Sequence, residues 1–281
     1  MHTLNIKGRL IAMERPWVMG IFNATSDSFY EGHANKTTSD QLALITKLVN
    51  EGADIIDVGG QSTRPGSSKI EASEEIKRVL PVIQLIKNNF PQVLISIDTY
   101  YAAVAKAAVE QGADMVNDIS GGSLDKDMLN TVAKLNVPYI CMHMKGTPQT
   151  MTTQCNYDNI LLELMQYFNE KMIACKAAGI KDIIIDLGFG FAKNSNQNFY
   201  LLKELSFFKE LGLPILVGLS RKKTIWESLG VTANDALNGT TVLNTIALTK
   251  GANILRVHDV KEAVEAVKLV GLMQQQKKEH K

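Results

Sequence analysis

The chain has 281 residues, 45% of them hydrophobic and 21% charged, and its 30 Lys and Arg against 29 Asp and Glu leave a formal charge of +1. That composition excludes a disordered chain. A charge this near zero supplies no long-range field for a polyanion, so neither nucleic acid nor an acidic membrane surface is expected as the main partner.

No apolar run reaches the ~20 residues that a membrane helix requires. Residues 1–16 carry neither an apolar signal segment nor a small-residue cleavage site, so a cytoplasmic protein is expected. Cys141, Cys155 and Cys175 are odd in number and lack C-x-x-C spacing, which argues against a disulfide framework and a structural zinc.

In chain order, residues 1–16 read as a lead-in, either plain or a hairpin over a barrel floor, and 274–281 as a solvated tail. Between them, eight short apolar runs bounded by turn residues are predicted strands: 17–25, 53–60, 93–99, 113–120, 137–144, 182–190, 214–220 and 252–259. Segments of helical spacing separate them, and 40–52 and 101–112 each close on a glycine suited to the left-handed position after a helix. One punctuation recurs as GADIID at 52–57, GADMVN at 112–117, GIKDIIID at 179–186 and GANILR at 251–256. Each reads as helix stop, turn, apolar strand and polar end, so a βα unit is repeated. Strands apolar almost throughout suit a parallel sheet covered by helices. Eight units favour an α/β fold of one closed (β/α)8 TIM barrel over 17–273.

In such a barrel the active site lies at the C-terminal ends of the strands. Those ends carry Asn23, Asp57, Asp98, Asn117, His143, Asp186, Ser220 with Lys222, and Arg256 with His258. A lone strand-end Asp or Asn usually caps a helix or makes a turn, and Asp57 is open to that structural reading. Eight polar ends at one mouth would bury many polar atoms, a cost that a ligand or water must offset. Asp98, Asn117 and Asp186 are acceptors suited to a flat heterocycle presenting N–H groups. Arg256 and His258, with Arg64 from a loop, suit a phosphate or diphosphate, and a guanidinium can also stack on a flat ring. The long loops 23–38 and 59–71 have the size and composition of lids, or of plain solvated loops.

Other motifs fail. The run from Gly188 to Lys193 begins like a dinucleotide fingerprint but has lysine where the third glycine belongs, and no Walker-type lysine motif is present. No H-E-x-x-H pattern supports a histidine-bound zinc.

Eight motifs, in order across nearly the whole chain, carry a family resemblance: NATSDSF at 23–29, DVGGQSTRPG at 57–66, SIDT at 96–99, NDISG at 117–121, MHMKGTP at 142–148, DLGFGF at 186–191, SRK at 220–222 and RVHD at 256–259. Together they resemble the dihydropteroate synthases, folate-pathway enzymes of the pterin-binding barrel superfamily. The resemblance implies condensation of 4-aminobenzoate with 6-hydroxymethyl-7,8-dihydropterin diphosphate, releasing diphosphate and forming dihydropteroate. By it, Asp98, Asn117, Asp186, Lys222 and Arg256 would hold the pterin, and Asp98, Lys222 and Arg256 would be catalytic. Asn23, Arg64, Arg256 and His258 would bind diphosphate, with Asn23 also contacting Mg²⁺. Phe29, Thr63, Arg64, Pro65, Phe191, Ser220 and Lys223 would surround the aminobenzoate, and the chain would form a homodimer through its outer helices.

The chain departs from the family pattern at Ser26 and Leu187, where proline is usual, and at Ala192 and Asn194, where glycine and threonine are usual. Lys223 replaces a common serine beside the aminobenzoate carboxylate. Two rival functions stand beside the synthase. One is a methyltransferase domain moving a methyl group from a methyl-folate to a corrinoid protein, which has little use for Arg64 or its loop. The other is a pterin-binding protein of weak activity.

Overall fold

The structure is a computed structural model that describes residues 2–24, 37–62 and 69–276. The chain opens with an antiparallel pair, β1 (His2–Ile6) and β2 (Arg9–Met13). Lys7 and Gly8, both at positive φ, turn the hairpin. Eight parallel strands follow: β3 (Trp17–Asn23), β4 (Ile55–Gly59), β5 (Leu94–Asp98), β6 (Met115–Asp118), β7 (Tyr139–Met142), β8 (Ile183–Asp186), β9 (Ile215–Val217) and β10 (Ile254–Val257). They pair in sequence order, and β10 bonds to both β9 and β3, so the sheet closes into a TIM barrel. All eight predicted strands are present, each shorter than its apolar run because the flanking residues turn toward the helices.

The helices are α1 (Thr38–Asn50), α2 (Ala72–Asn89), α3 (Ala102–Gln111), α4 (Met128–Leu135), α5 (Ile160–Ala178), α6 (Ser195–Lys203), α7 (Lys223–Leu229), α8 (Leu237–Lys250) and α9 (Val260–Gln275). Local chemistry sets their ends. Thr37 and Asp40 form a reciprocal cap at the start of α1, while Gly179 and Gly251 end α5 and α8 in the left-handed conformation. Among the described residues no helix is long and apolar enough to cross a membrane.

Period-two alternation divides each strand between two cores. Val18, Ile56, Val58, Ile95 and Ile97 face outward into the layer shared with the helices. Met19, Ile55, Met115, Ile140, Ile184 and Ile254 fill the barrel's lower interior, where Leu4, Ile6 and Met13 of the hairpin join them. The hairpin is therefore a hydrophobic plug for the barrel floor. With the floor filled by large side chains, the next inward positions up the strands open only at the other end.

One buried acid stands outside this division. Glu75, in the first turn of α2, is fully buried, packs on the Gly60 backbone, and has no hydrogen-bond partner for either carboxylate oxygen among the described residues. Burial pushes it up to about 8; the nearby Thr99 hydroxyl and Arg78 oppose the shift, and the Asp98 charge adds to it. Ordinary ionisation lies near 4.5. Between those values the folded chain binds more protons than the unfolded one, so stability falls as pH rises, by at most about 1.4 kcal/mol per pH unit. Glu75→Gln should remove that loss and gain on the parent between pH 5 and pH 8 in denaturant unfolding; parallel pH profiles would contradict the assignment.

Candidate active site

The inward positions above the plug are polar. Asp57 of β4, Ser96 and Asp98 of β5, Asn117 of β6, Asp186 of β8 and Arg256 of β10 stand in this part of the barrel. Strand register places Asp57 beside Ser96 and Asp98 beside Asn117. The rule that turned hydrophobics into the floor therefore turns these groups into the mouth, whereas Asp118, one residue from Asn117, points outward. Asp118 accepts hydrogen bonds from Ser120 N, Gly122 N and the Tyr139 hydroxyl at 2.7–2.8 Å, a turn-building role.

Arg256 organises the site. Its Nε donates to Asp57 Oδ2 and its Nη2 to Asp98 Oδ2, both at 2.6 Å, and Asn117 Nδ2 donates to the same Asp57 oxygen at 3.1 Å. Asp57 is fully buried and Asp98 8% exposed. Burial alone would lower the Arg256 pKa, but the two carboxylates outweigh it and raise it, so the guanidinium stays charged. Burial pushes Asp98 up to about 7 against the pull of Arg256, with Asp57, Asp118 and Asp186 adding to the rise. Asp98 Oδ1 is buried and has no partner among the described residues. In a low-dielectric pocket such an oxygen is an acceptor awaiting a donor.

The other predicted residues take the following places. Asn23 Oδ1 and Asp98 Oδ2 both approach Gly59 from its open side, 3.9 and 3.8 Å from where a Cβ would stand. Asp186 Oδ1 accepts from Gly188 N at 2.8 Å, and burial raises its pKa against the opposing Lys222 charge. Lys222 Nζ donates to the Phe189 carbonyl and lies 4.8 Å from the Phe191 ring centroid; burial pushes it down to about 8 against the pull of Asp186. Ser220 Oγ bonds to His258 Nδ1 at 3.0 Å and accepts from His258 N at 3.2 Å, which orients the imidazole. Lys223 opens α7, exposed, with its ammonium 3.5 Å from Glu227. Phe29, Thr63, Arg64 and Pro65, like Ser26, lie outside the described residues.

Three features escape the sequence reading. Asp57 is the buried anchor of Arg256, which a strand-end Asp does not announce. Arg221, at φ +53°, forms a two-pronged pair with Asp259 at 2.8 and 2.9 Å and ties the loop carrying Ser220 and Lys222 to the end of β10. Lys193, read only as the residue that spoils a fingerprint, is buried and donates to the Gly188 and Phe191 carbonyls, and its nitrogen lies 3.0 Å from His143 Nδ1. His143 is thus committed to Lys193.

The departures also find their places. Asn194 caps α6 reciprocally with Gln197, a role threonine can share. Ala192 sits at φ +49°, where an alanine costs about 1–2 kcal/mol relative to unstrained backbone and glycine costs little. Gly188 admits no such change: its φ is +68° and a Cβ would lie 2.0 Å from the His143 carbonyl oxygen. Gly188→Ala should cost about 2–4 kcal/mol, combining the left-handed penalty with overpacking. Parent-like stability in urea unfolding would rule out so close an approach.

Comparison with known proteins agrees with this architecture. The family described as "Pterin binding enzyme" matches residues 19–258. The dihydropteroate synthase of Escherichia coli (strain K12) is 41% identical over 266 residues, 94% of each chain. A Yersinia pestis dihydropteroate synthase solved with a sulfonamide drug superposes with a TM-score of 0.93 at 37% identity, covering 98% of this chain and 100% of that one. The Xanthomonas albilineans dihydropteroate synthase with 4-aminobenzoic acid gives 0.90 at 38% identity, covering 98% and 99%. With the family matched over most of the barrel and relatives this similar along nearly their whole length, the chain belongs to the dihydropteroate synthases.

Proposed function

We propose that this chain joins 4-aminobenzoate to the methylene carbon of 6-hydroxymethyl-7,8-dihydropterin diphosphate, forming 7,8-dihydropteroate and diphosphate. The observation that carries the reading is the bridge Asp57–Arg256–Asp98, with Asp98 Oδ1, unpartnered among the described residues, beside it, in the same mouth as Asp186 and Lys222. Asp98, Asn117 and Asp186 take the ring's N–H groups, Lys222 the ring's acceptors, and Arg256 stacks on its face. Arg256 also turns toward the diphosphate, with His258, Asn23 and Arg64. Phe191, Ser220 and Lys223 take the aminobenzoate end, and Phe29, Thr63, Arg64 and Pro65 are assigned to the same end by the family pattern. A surface ion pair such as Lys223–Glu227 is worth at most about 1 kcal/mol, so a substrate carboxylate can recruit Lys223.

The aromatic amine has a free lone pair near neutral pH and needs no strong base. Its nitrogen forms the new C–N bond, the C–O bond to diphosphate breaks, and the nitrogen's excess proton leaves to solvent or diphosphate. The barrier therefore lies in charge separation. Asp98 stabilises positive charge spreading from the methylene into the dihydropterin, while Arg256 and His258 stabilise the departing anion. The donor set fits Mg²⁺ as an ion held mainly by substrate: Asn23 offers one amide oxygen at the mouth, and Mg²⁺ commonly takes one or two protein oxygens with phosphate and water. When bound there, Mg²⁺ neutralises diphosphate charge.

Exposed apolar residues on the outer helices, among them Leu229, Val242 and Ile246, support a homodimer, and the free thiols Cys141 and Cys175, both buried, suit the cytoplasm. The test is to mix pure protein with Mg²⁺, dihydropterin diphosphate and 4-aminobenzoate and to assay both products. Equimolar diphosphate and dihydropteroate are expected. Pterin binding in calorimetry with neither product would favour the binding protein, and methyl transfer from a methyl-folate without diphosphate release would favour the methyltransferase.

A further inference from the structure

In the connection between β8 and α6, three of the five residues 188–192 sit at positive φ: Gly188, Gly190 and Ala192. Its backbone supplies one closing bond, Phe191 N to Gly188 O at 3.0 Å, and the Gly188 and Phe191 carbonyls both also point at one side chain. Lys193 Nζ lies 3.1 Å from Gly188 O, 3.0 Å from Phe191 O and 3.0 Å from His143 Nδ1. Its N–H groups serve the two carbonyls, and the His143 contact completes the set; the residue is 7% exposed, and burial pulls its pKa down to about 7 against the pull of Asp186. Asn198, itself buried, braces the same turn by accepting from Gly190 N at 2.8 Å and donating to Lys193 O at 3.3 Å. Of the turn's other carbonyls, Phe189 O accepts from Lys222 and Ala192 O from the Tyr157 hydroxyl at 2.9 Å, and the Phe191 ring lies under the Lys222 nitrogen.

We propose that Lys193 is a positioning residue: its terminal nitrogen, seated on His143, templates the turn 188–192 and so sets where Phe191 meets the aminobenzoate. The inference rests on the synthase reading and adds to it a specificity device built from a lysine that does not touch substrate. Loss of the hub relaxes a turn in which left-handed residues are otherwise free to reorganise, and a displacement of about 1 Å is enough to matter at a reacting pair.

Lys193→Met keeps the length and removes the donors. The KM for 4-aminobenzoate should rise by about tenfold or more, well beyond any change in the KM for the dihydropterin diphosphate. Lys193→Ala should show the same defect, and n-propylammonium should restore the aminobenzoate KM whereas tetramethylammonium, charged but lacking N–H groups, should not. A merely packing role predicts that butane-shaped neutral 1-propanol, matched to n-propylammonium in length, restores the KM equally well, which the inference forbids. Should the Lys193 variants fail to fold, His143→Leu removes a single acceptor and should raise the same KM selectively. Parent-like aminobenzoate KM in the folded variants, or equal rescue by both cations, overturns the inference and leaves the synthase reading standing. A parent chain that makes no dihydropteroate overturns both.

Discussion

Asp98→Asn should bind the dihydropterin diphosphate within about tenfold of the parent and lose turnover by about 10²–10³-fold, the cost typical of removing one preorganised electrostatic group. The substitution keeps the side chain's shape and leaves an oxygen for Arg256, which now meets Asp98 Oδ2 at 2.6 Å. Ring binding is shared with Asn117, Asp186 and Lys222, so the ground state loses one contact among several. The transition state loses more. Positive charge appears on the substrate only as the C–O bond opens, and a carboxylate in a buried pocket answers it without reorganising, which a neutral amide cannot do. Calorimetry for binding and steady-state assays for kcat separate the two effects. Full turnover in the variant would remove Asp98 from the chemistry.

Asp57→Ala should destabilise the fold by about 3–5 kcal/mol, the range for breaking a buried ion pair from one side. Asp57 Oδ2 receives both Arg256 Nε and Asn117 Nδ2, and the residue is fully buried. Without it, the partly buried Arg256 guanidinium, whose side chain is 21% exposed, keeps only Asp98 as a carboxylate partner among the described residues, and the Asn117 amide loses its acceptor. Activity should fall as well, because Arg256 then has no second tether to hold its plane against the ring. The exposed pair Lys47–Glu51, at 3.8 Å, is the contrast: its removal is expected to cost at most about 1 kcal/mol. Urea unfolding decides the matter, and a loss under about 1 kcal/mol for Asp57→Ala would return that residue to the role of an ordinary strand-end aspartate.

The strands were legible because their signals are local. The GADIID-type punctuation marks where each helix stops and each strand starts, and alternation tells which of Asn117 and Asp118, or Val257 and Arg256, shares a face with its neighbours. The strand-end positions of Asn23, Asp98, Asn117, Asp186 and Arg256 followed from that. The position of Asp57 followed too, but its role did not, because nothing around it in sequence distinguishes a helix-capping aspartate from one that anchors an arginine across the barrel. Lys193 was misjudged for a related reason: it fits poorly in a glycine fingerprint, while its three acceptors come from both a strand end and its own turn.

Sequence alone determined the repeated βα unit, the strand positions and the kinds of groups that end each strand, since apolar periodicity and turn chemistry act over a few residues. Only the closed barrel decided the partners. Arg256 meets Asp98 and Asp57 across 158 and 199 positions of chain, and those contacts exist because β10 hydrogen-bonds to β3 and brings the last strand round to the first. Closure also gave the inward face a filled floor and a polar mouth, a division that depends on all eight strands and the plug together.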